Sequence, residues 1–125
     1  MRIVNRKAFM GTADNTVFCY ASKHCDLSDP CIKVSNCGDN DFFVSDLNEV
    51  TAQSSIDQYD KIKDMMINSL KSDPINFDVS GRDGMFNDDQ MFAIYDTDDL
   101  LNMIDRLAKC LPKEVIEALA CMEAE

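Results

Sequence analysis

Apolar residues alternate with polar ones in short runs over the first third of the chain, and recur three and four apart over most of the remainder. Ile3 and Val4 start a strand, Arg6–Met10 suits a single helical turn, and Gly11 ends it. Thr16, Val17, Phe18, Cys19 and Tyr20 are a β-branched and aromatic run behind a turn at Asp14 and Asn15, which predicts a strand. Phe18 and Tyr20 share one parity and Val17 and Cys19 the other, so both faces of that strand are expected to be covered. Short strands are expected again over residues 31–34 and 42–44, separated by a polar turn in which Gly38 supplies a positive φ. The first 45 residues therefore read as a small antiparallel sheet, with three of its four cysteines in loops.

Helical spacing begins near residue 51 or 54 and runs to about 70, where Ile56, Tyr59, Ile62, Met66 and Leu70 fall on one face. Asp57 and Lys61 form an attractive pair four apart, and Asp60 and Asp64 a repulsive one, so burial of the apolar face is expected to hold this helix. Pro74 then forces an extended approach into Ile75, Phe77 and Val79, whose alternation with Asn76 and Asp78 predicts a half-buried strand. Residues 91–95 predict a further strand. Thr97 is the expected N-cap of the next helix, with Asp98 and Asp99 in its first turn, where negative charge is stabilised. Leu100, Ile104, Leu107 and Leu111 form its stripe. Pro112 stops it and suits the first position of a last helix over residues 113–122. The expected architecture is one α+β domain spanning residues 1–125, a small antiparallel sheet packed against about three helices.

Charge changes this picture more than composition does. The chain carries eighteen Asp and five Glu against twelve Lys and Arg, a formal net charge of −11. The excess is concentrated: Asp83, Asp88, Asp89, Asp96, Asp98, Asp99 and Asp105 lie in one stretch without a Lys or Arg. Binding to a nucleic-acid backbone depends on basic side chains, so direct DNA or RNA contact is not expected. An acidic surface fits a basic surface on a partner protein, including one that ordinarily receives phosphates. No apolar run of signal length follows Arg2, Arg6 and Lys7, and no window is long enough for a membrane span, so the cytoplasm is the expected location. In that compartment Cys19, Cys25, Cys31 and Cys37 are expected to be reduced, and their six-residue spacing misses that of a zinc knuckle.

The stretch Arg82-Asp-Gly-Met-Phe-Asn-Asp-Asp concentrates charge, flexibility and two large apolar side chains, and is the candidate binding segment. Arg82 stands near seven Asp, able either to pair with Asp83 or Asp88 or to grip an anionic ligand. Candidate binding residues are Arg82, Asp83, Phe86, Asp88, Asp89, Tyr95, Asp98 and Asp99. A twelve-residue calcium loop needs oxygen ligands at its first, third and fifth positions, and neither Asp83 nor Asp39 starts such a series. His24 beside Cys25 lacks the geometry of a catalytic pair, because neighbours on an extended chain point apart. No catalytic set, resident metal or cofactor is expected.

Several segments carry a resemblance: the opening Met1–Met10, Thr16-Val-Phe-Cys-Tyr, Asn40-Asp-Phe-Phe-Val-Ser-Asp-Leu, and Gly84-Met-Phe-Asn-Asp-Asp-Gln-Met-Phe-Ala-Ile-Tyr-Asp. Together they resemble the small acidic accessory proteins encoded by tailed bacteriophages, over most of the chain. The resemblance implies a setting in the host-cell cytoplasm and no catalytic residue. The expected function is then non-catalytic binding, as a modulator or inhibitor of a host protein with a basic surface. A protein that sequesters an anionic or nucleotide ligand with Arg82 and Phe86 or Tyr95, between subunits of a homo-oligomer, is the alternative; metal-dependent hydrolysis through the same Asp residues is a second.

Overall fold

The computed structural model describes residues 1–123, which form an α+β fold in two compact units. The larger, Ile3–Ile94, contains the antiparallel sheet. The smaller joins Met1–Arg2 to the chain from Tyr95 onward and is helical. In chain order the elements are β1 (Arg2–Val4), α1 (Arg6–Met10), β2 (Thr16–Ala21), β3 (Cys31–Asn36), β4 (Phe42–Asp46), α2 (Ser55–Ile67), β5 (Gly81–Arg82), β6 (Met91–Ile94), α3 (Thr97–Ala108) and α4 (Lys113–Glu123).

The sheet order is β1-β6-β2-β3-β4-β5. β2, β3 and β4 are an antiparallel meander, and β6 returns to pair with β2 by bringing Ile94 opposite Phe18 and Phe92 opposite Tyr20. Because β6 lies between β1 and β2, Phe92, Ala93 and Ile94 are all buried, as are Phe18 and Cys19 on the two faces of β2. Over one face lies α1. Its Phe9 enters a cluster with Phe18, Phe42 and Phe92, stacked on Phe92 at a centroid distance of 3.9 Å and tilted against Phe18 at 4.8 Å. Four rings thus form the centre of a core in which Leu is absent.

Lys33 points into the same face. Its side chain is fully buried in β3, and Nζ donates to the carbonyls of Phe9, Met10 and Thr12 and to the Thr12 hydroxyl at 2.7–3.4 Å. A cation at the C-terminal carbonyls of α1 satisfies groups that the helix itself leaves unpaired. Burial nevertheless pushes the Lys33 ammonium below the usual lysine range.

Several local expectations are corrected. Residues 75–79 form no strand; Ile75 makes an isolated bridge with Val50, and Asn76 Oδ1 instead accepts the Asp78 N–H at 2.9 Å. That side-chain bond offers the backbone an alternative to a ladder. Strand β5, only two residues long, pairs with β4 immediately afterwards. Two of the first four cysteines, Cys25 and Cys37, lie outside strands; Cys19 and Cys31 are buried within β2 and β3. Gly38 does adopt the expected positive φ, at 76°. Helix α2 is present, capped by Ser54 Oγ, which accepts from the Asp57 N–H, but it buries none of its residues, so burial of its stripe does not hold it.

The cap of α3 is Asp96, not Thr97. Asp96 and Asp99 form a capping box, the Asp96 N–H donating to Asp99 Oδ2 at 2.9 Å. Asp96→Ala is accordingly expected to cost about 1 kcal/mol and to reduce helical circular dichroism, whereas Thr97→Ala is expected to change thermal stability little. Pro112 sits one residue before α4, where its carbonyl accepts the Val115 and Ile116 N–H groups. No helix among the described residues is long and apolar enough to cross a membrane.

Candidate functional site

Two buried carboxylates at one end of the sheet organise the segment that the sequence singles out. Asp41 directly precedes β4, and Asp83 directly follows β5; because these strands pair, the two acids lie at the same end of the sheet, one residue out of register with each other. Backbone bonding continues the pairing, with the Asp83 N–H donating to the Phe42 carbonyl at 2.9 Å.

The Asp83 side chain is almost fully buried and shares its carboxylate between two distant partners. Oδ2 pairs with Arg6 Nη2 at 3.1 Å, and Oδ1 accepts the Tyr20 hydroxyl at 2.8 Å. Arg6, equally buried, also donates from Nε to Asn40 Oδ1 at 2.8 Å and from Nη2 to the Asn40 carbonyl at 2.7 Å. Its guanidinium lies 5.6 Å from the Phe42 ring centre, so the charge is held by a carboxylate, an amide and an aromatic face together. Burial and the Asp83 bond raise the Tyr20 hydroxyl well above the usual phenol range, which keeps it a donor.

Asp41 is held differently. Oδ1 accepts the Gly84 and Phe42 N–H groups, both at 2.9 Å, and Oδ2 accepts Arg82 Nε at 2.8 Å and pairs with Arg82 Nη2 at 2.8 Å. The Gly84 amide and the Arg82 guanidinium keep its carboxyl below the ordinary range. A depressed folded pKa contributes stability that is fully present above the unfolded value near 3.9 and is lost as pH falls through the folded one. Stability is thus expected to fall on acidification below about pH 4, and Asp41→Asn should flatten that part of the curve in urea titrations at stepped pH.

From this foundation residues 84–89 project as a loop. Gly84 turns it out with φ at 65°, and Phe86 follows with φ at 50°, a conformation that costs an L side chain energy. Met85 and Phe86 are 74% and 53% exposed. The return is fixed as firmly as the start: Asn87 Oδ1 accepts the Asp89 N–H, Gln90 Nε2 donates to the Ala21 carbonyl at 2.9 Å, and Asn40 Nδ2 reaches Asp88 Oδ1 at 3.2 Å. Beside the loop is a polar cleft of about 440 Å³, lined by Arg6, Lys7, Asp39, Asn40 and Asp88 among others.

Comparison with protein-family models, curated proteins and solved structures returns no match. The site is therefore read on its own geometry. Arg82, Asp83, Phe86, Asp88 and Asp89 fall in one continuous segment of the sheet unit, whereas Tyr95, Asp98 and Asp99 belong to the helical unit. Asp98 is exposed in the first turn of α3, and Asp99 serves the cap and pairs with the Met1 amino group. Arg82 is committed to Asp41 through two nitrogens, and Asp83 is a structural anion rather than a surface charge. Asp88, Asp89, Met85 and Phe86 form the outward part. Among the described residues no three His, Cys, Asp or Glu side chains are grouped so as to hold a metal ion.

Sequence reasoning missed Arg6, Tyr20, Asn40 and Asp41. The first two lie 77 and 63 residues from Asp83, and no local spacing announces a pairing over such a distance.

Proposed function

We propose that the protein is a non-catalytic binding protein of the host-cell cytoplasm that engages a host protein with a basic surface through the loop over residues 84–89. The observation that carries this reading is Phe86, an exposed aromatic ring held at positive φ on a loop whose start is tied by the buried Arg6–Asp83 pair and by the half-exposed Arg82 on buried Asp41. Strain of this kind persists only where the surrounding structure enforces it, and it is concentrated at binding and active sites. Aromatic side chains dominate binding energy at protein interfaces, with charges at the rim steering association. Met85 and Phe86 supply the apolar centre; Asp88 and Asp89 supply the rim. The net charge of −11 favours a basic partner and speeds encounter with it. The resemblance to acidic accessory proteins of tailed phages supports a modulator or inhibitor as the biological form of this binding. Commitment of Arg82 to Asp41 weighs against the alternative in which that guanidinium grips an anionic ligand.

The test is capture from a bacterial host lysate on immobilised protein. Wild type is expected to retain a protein that elutes with salt. Phe86→Gly should lower capture about tenfold or more while leaving the fold as stable or slightly more so, because glycine relieves the backbone strain. Asp88→Asn with Asp89→Asn should move elution to lower salt. Retention unaffected by all of these substitutions would sink the assignment of the loop.

A further inference from the structure

Asn40 stands between the buried foundation of the loop over residues 84–89 and its exposed return limb. It is half-buried, and its primary amide has one end that accepts and one that donates. Arg6 takes the accepting end. Its Nε donates to Asn40 Oδ1 at 2.8 Å, and its Nη2 donates to the carbonyl of the same residue at 2.7 Å. The guanidinium is itself held, because Nη2 also pairs with Asp83 Oδ2 and its central carbon lies over the Phe42 ring. With the amide oxygen turned towards Arg6, Nδ2 points away from it and donates to Asp88 Oδ1 at 3.2 Å.

Residue type decides whether this relay exists. Aspartate at position 40 offers Arg6 the same acceptor but has no donor, and it sets a second carboxylate against Asp88. Alanine offers neither group. The amide satisfies a guanidinium on one side and a carboxylate on the other, over a sequence separation of 48 residues. Asp88 is exposed and lies two residues beyond Phe86. Past it the turn is local, with the Asp89 N–H on Asn87 Oδ1 at 3.0 Å and the Gln90 N–H on the Asn87 carbonyl at 3.1 Å.

We propose that Asn40 is a positioning residue for the loop: oriented by buried Arg6, its amide fixes the Asp88 carboxylate beside Phe86, so that the acidic rim meets a basic partner in one preset geometry. The inference rests on the reading of this loop as the contact surface. It gives Asp88 a placed contact in addition to its share of the general field, and presetting the rim removes part of the cost of ordering it on binding.

Amide hydrogen exchange of the free protein, followed by nuclear magnetic resonance, tests the positioning itself. Asn40→Asp should speed exchange of the Asp89 and Gln90 amides about tenfold and leave the Phe42 and Asp83 amides, which report on the foundation, unchanged. Asp88→Ala, at an exposed position, should loosen the same two amides. Combining Asn40→Asp with Asp88→Asn reverses donor and acceptor across the pair and should restore the wild-type rates. The salt concentration at which the protein retained from host lysate elutes is the second readout. Asn40→Asp adds a negative charge, so a rim acting through its field alone would hold a basic partner to higher salt, whereas positioning predicts elution at lower salt. Unchanged exchange in Asn40→Asp overturns the proposal, as do rates that the double substitution does not restore, or elution of Asn40→Asp at higher salt than wild type. If the wild-type chain captures nothing, the reading of the loop as a contact surface fails, and the exchange rates still decide whether Asn40 positions it.

Discussion

Asp83→Ala is expected to destabilise the fold by about 3–5 kcal/mol, because it leaves the Arg6 guanidinium buried without its counter-ion. The side chains of both residues are 3% exposed, so water has little access to take the place of the carboxylate. Arg6 Nη1 already lacks a hydrogen-bond partner, which removes any slack in how the charge is satisfied. The Tyr20 hydroxyl loses its acceptor in the same step. Against a total stability of about 5–15 kcal/mol for a domain, this is a large fraction. Urea denaturation should show it as a lowered midpoint with little change in slope. A triple change, Arg6→Met with Tyr20→Phe and Asp83→Ala, should recover much of the loss, because it removes the stranded polar groups together rather than one partner alone. A loss below about 1 kcal/mol in the single variant would mean that water reaches Arg6 and that the pair is not a structural anchor.

The same substitution connects stability to the proposed function. Asp83 fixes the start of the loop through Arg6, and Asp41 fixes Gly84 through its amide. Residues at the foundation and at the tip should therefore separate by phenotype. Changes at Asp41 or Asp83 lower stability and binding together, whereas changes at Phe86 lower binding alone. Asp residues adjacent in the acidic run are thus not equivalent, although the sequence presents them alike.

Local chemistry made much of this fold legible, and non-local chemistry did not. Strands β2 and β6 could be read from their β-branched and aromatic runs, and α2, α3 and α4 from their three- and four-residue periodicity, because each pattern is complete within one segment. Periodicity reports that a helix has an apolar face, not what covers it; hence the stripes of α2 and α3 were correctly located and their burial was not. Residues 75–79 alternate as a strand does, but Asn76 and Asp78 are also turn formers, and the turn won. Asp96 and Thr97 are both good caps, and the acid three residues beyond Asp96 was the signal that distinguished them. Lys33 had a signal too, since it shares parity with Cys31 in a strand with an inward face. Asp41 and Asp83 had none: each resembles the surface carboxylates that surround it in sequence, and its partners are set by the pairing of β4 with β5 and by the entry of α1.

Phe9→Ala is expected to cost about 3–5 kcal/mol, at the upper end for a core truncation, because one side chain carries the attachment of α1 to the sheet. Phe9 is fully buried and meets Phe18, Phe42 and Phe92 at centroid distances of 4.8, 5.0 and 3.9 Å. Helix α1 has only five residues, too few to persist without tertiary contacts. Removing the ring opens a cavity among three other rings and loosens the helix whose terminal carbonyls receive Lys33, so that a second buried charge loses part of its coordination. Arg6 stands in the same helix, and the Asp83 pair should weaken with it. Phe9→Leu keeps most of the volume and should cost about 1.5 kcal/mol or less. Thermal and urea denaturation of the two variants distinguish this account from simple loss of apolar area. If α1 is the attachment, the alanine variant should also lose amide protection across residues 6–10 and at Asp83 before the global transition, while the leucine variant retains it. Equal costs for the two substitutions would show that the cluster tolerates the missing ring and that α1 is held by other contacts.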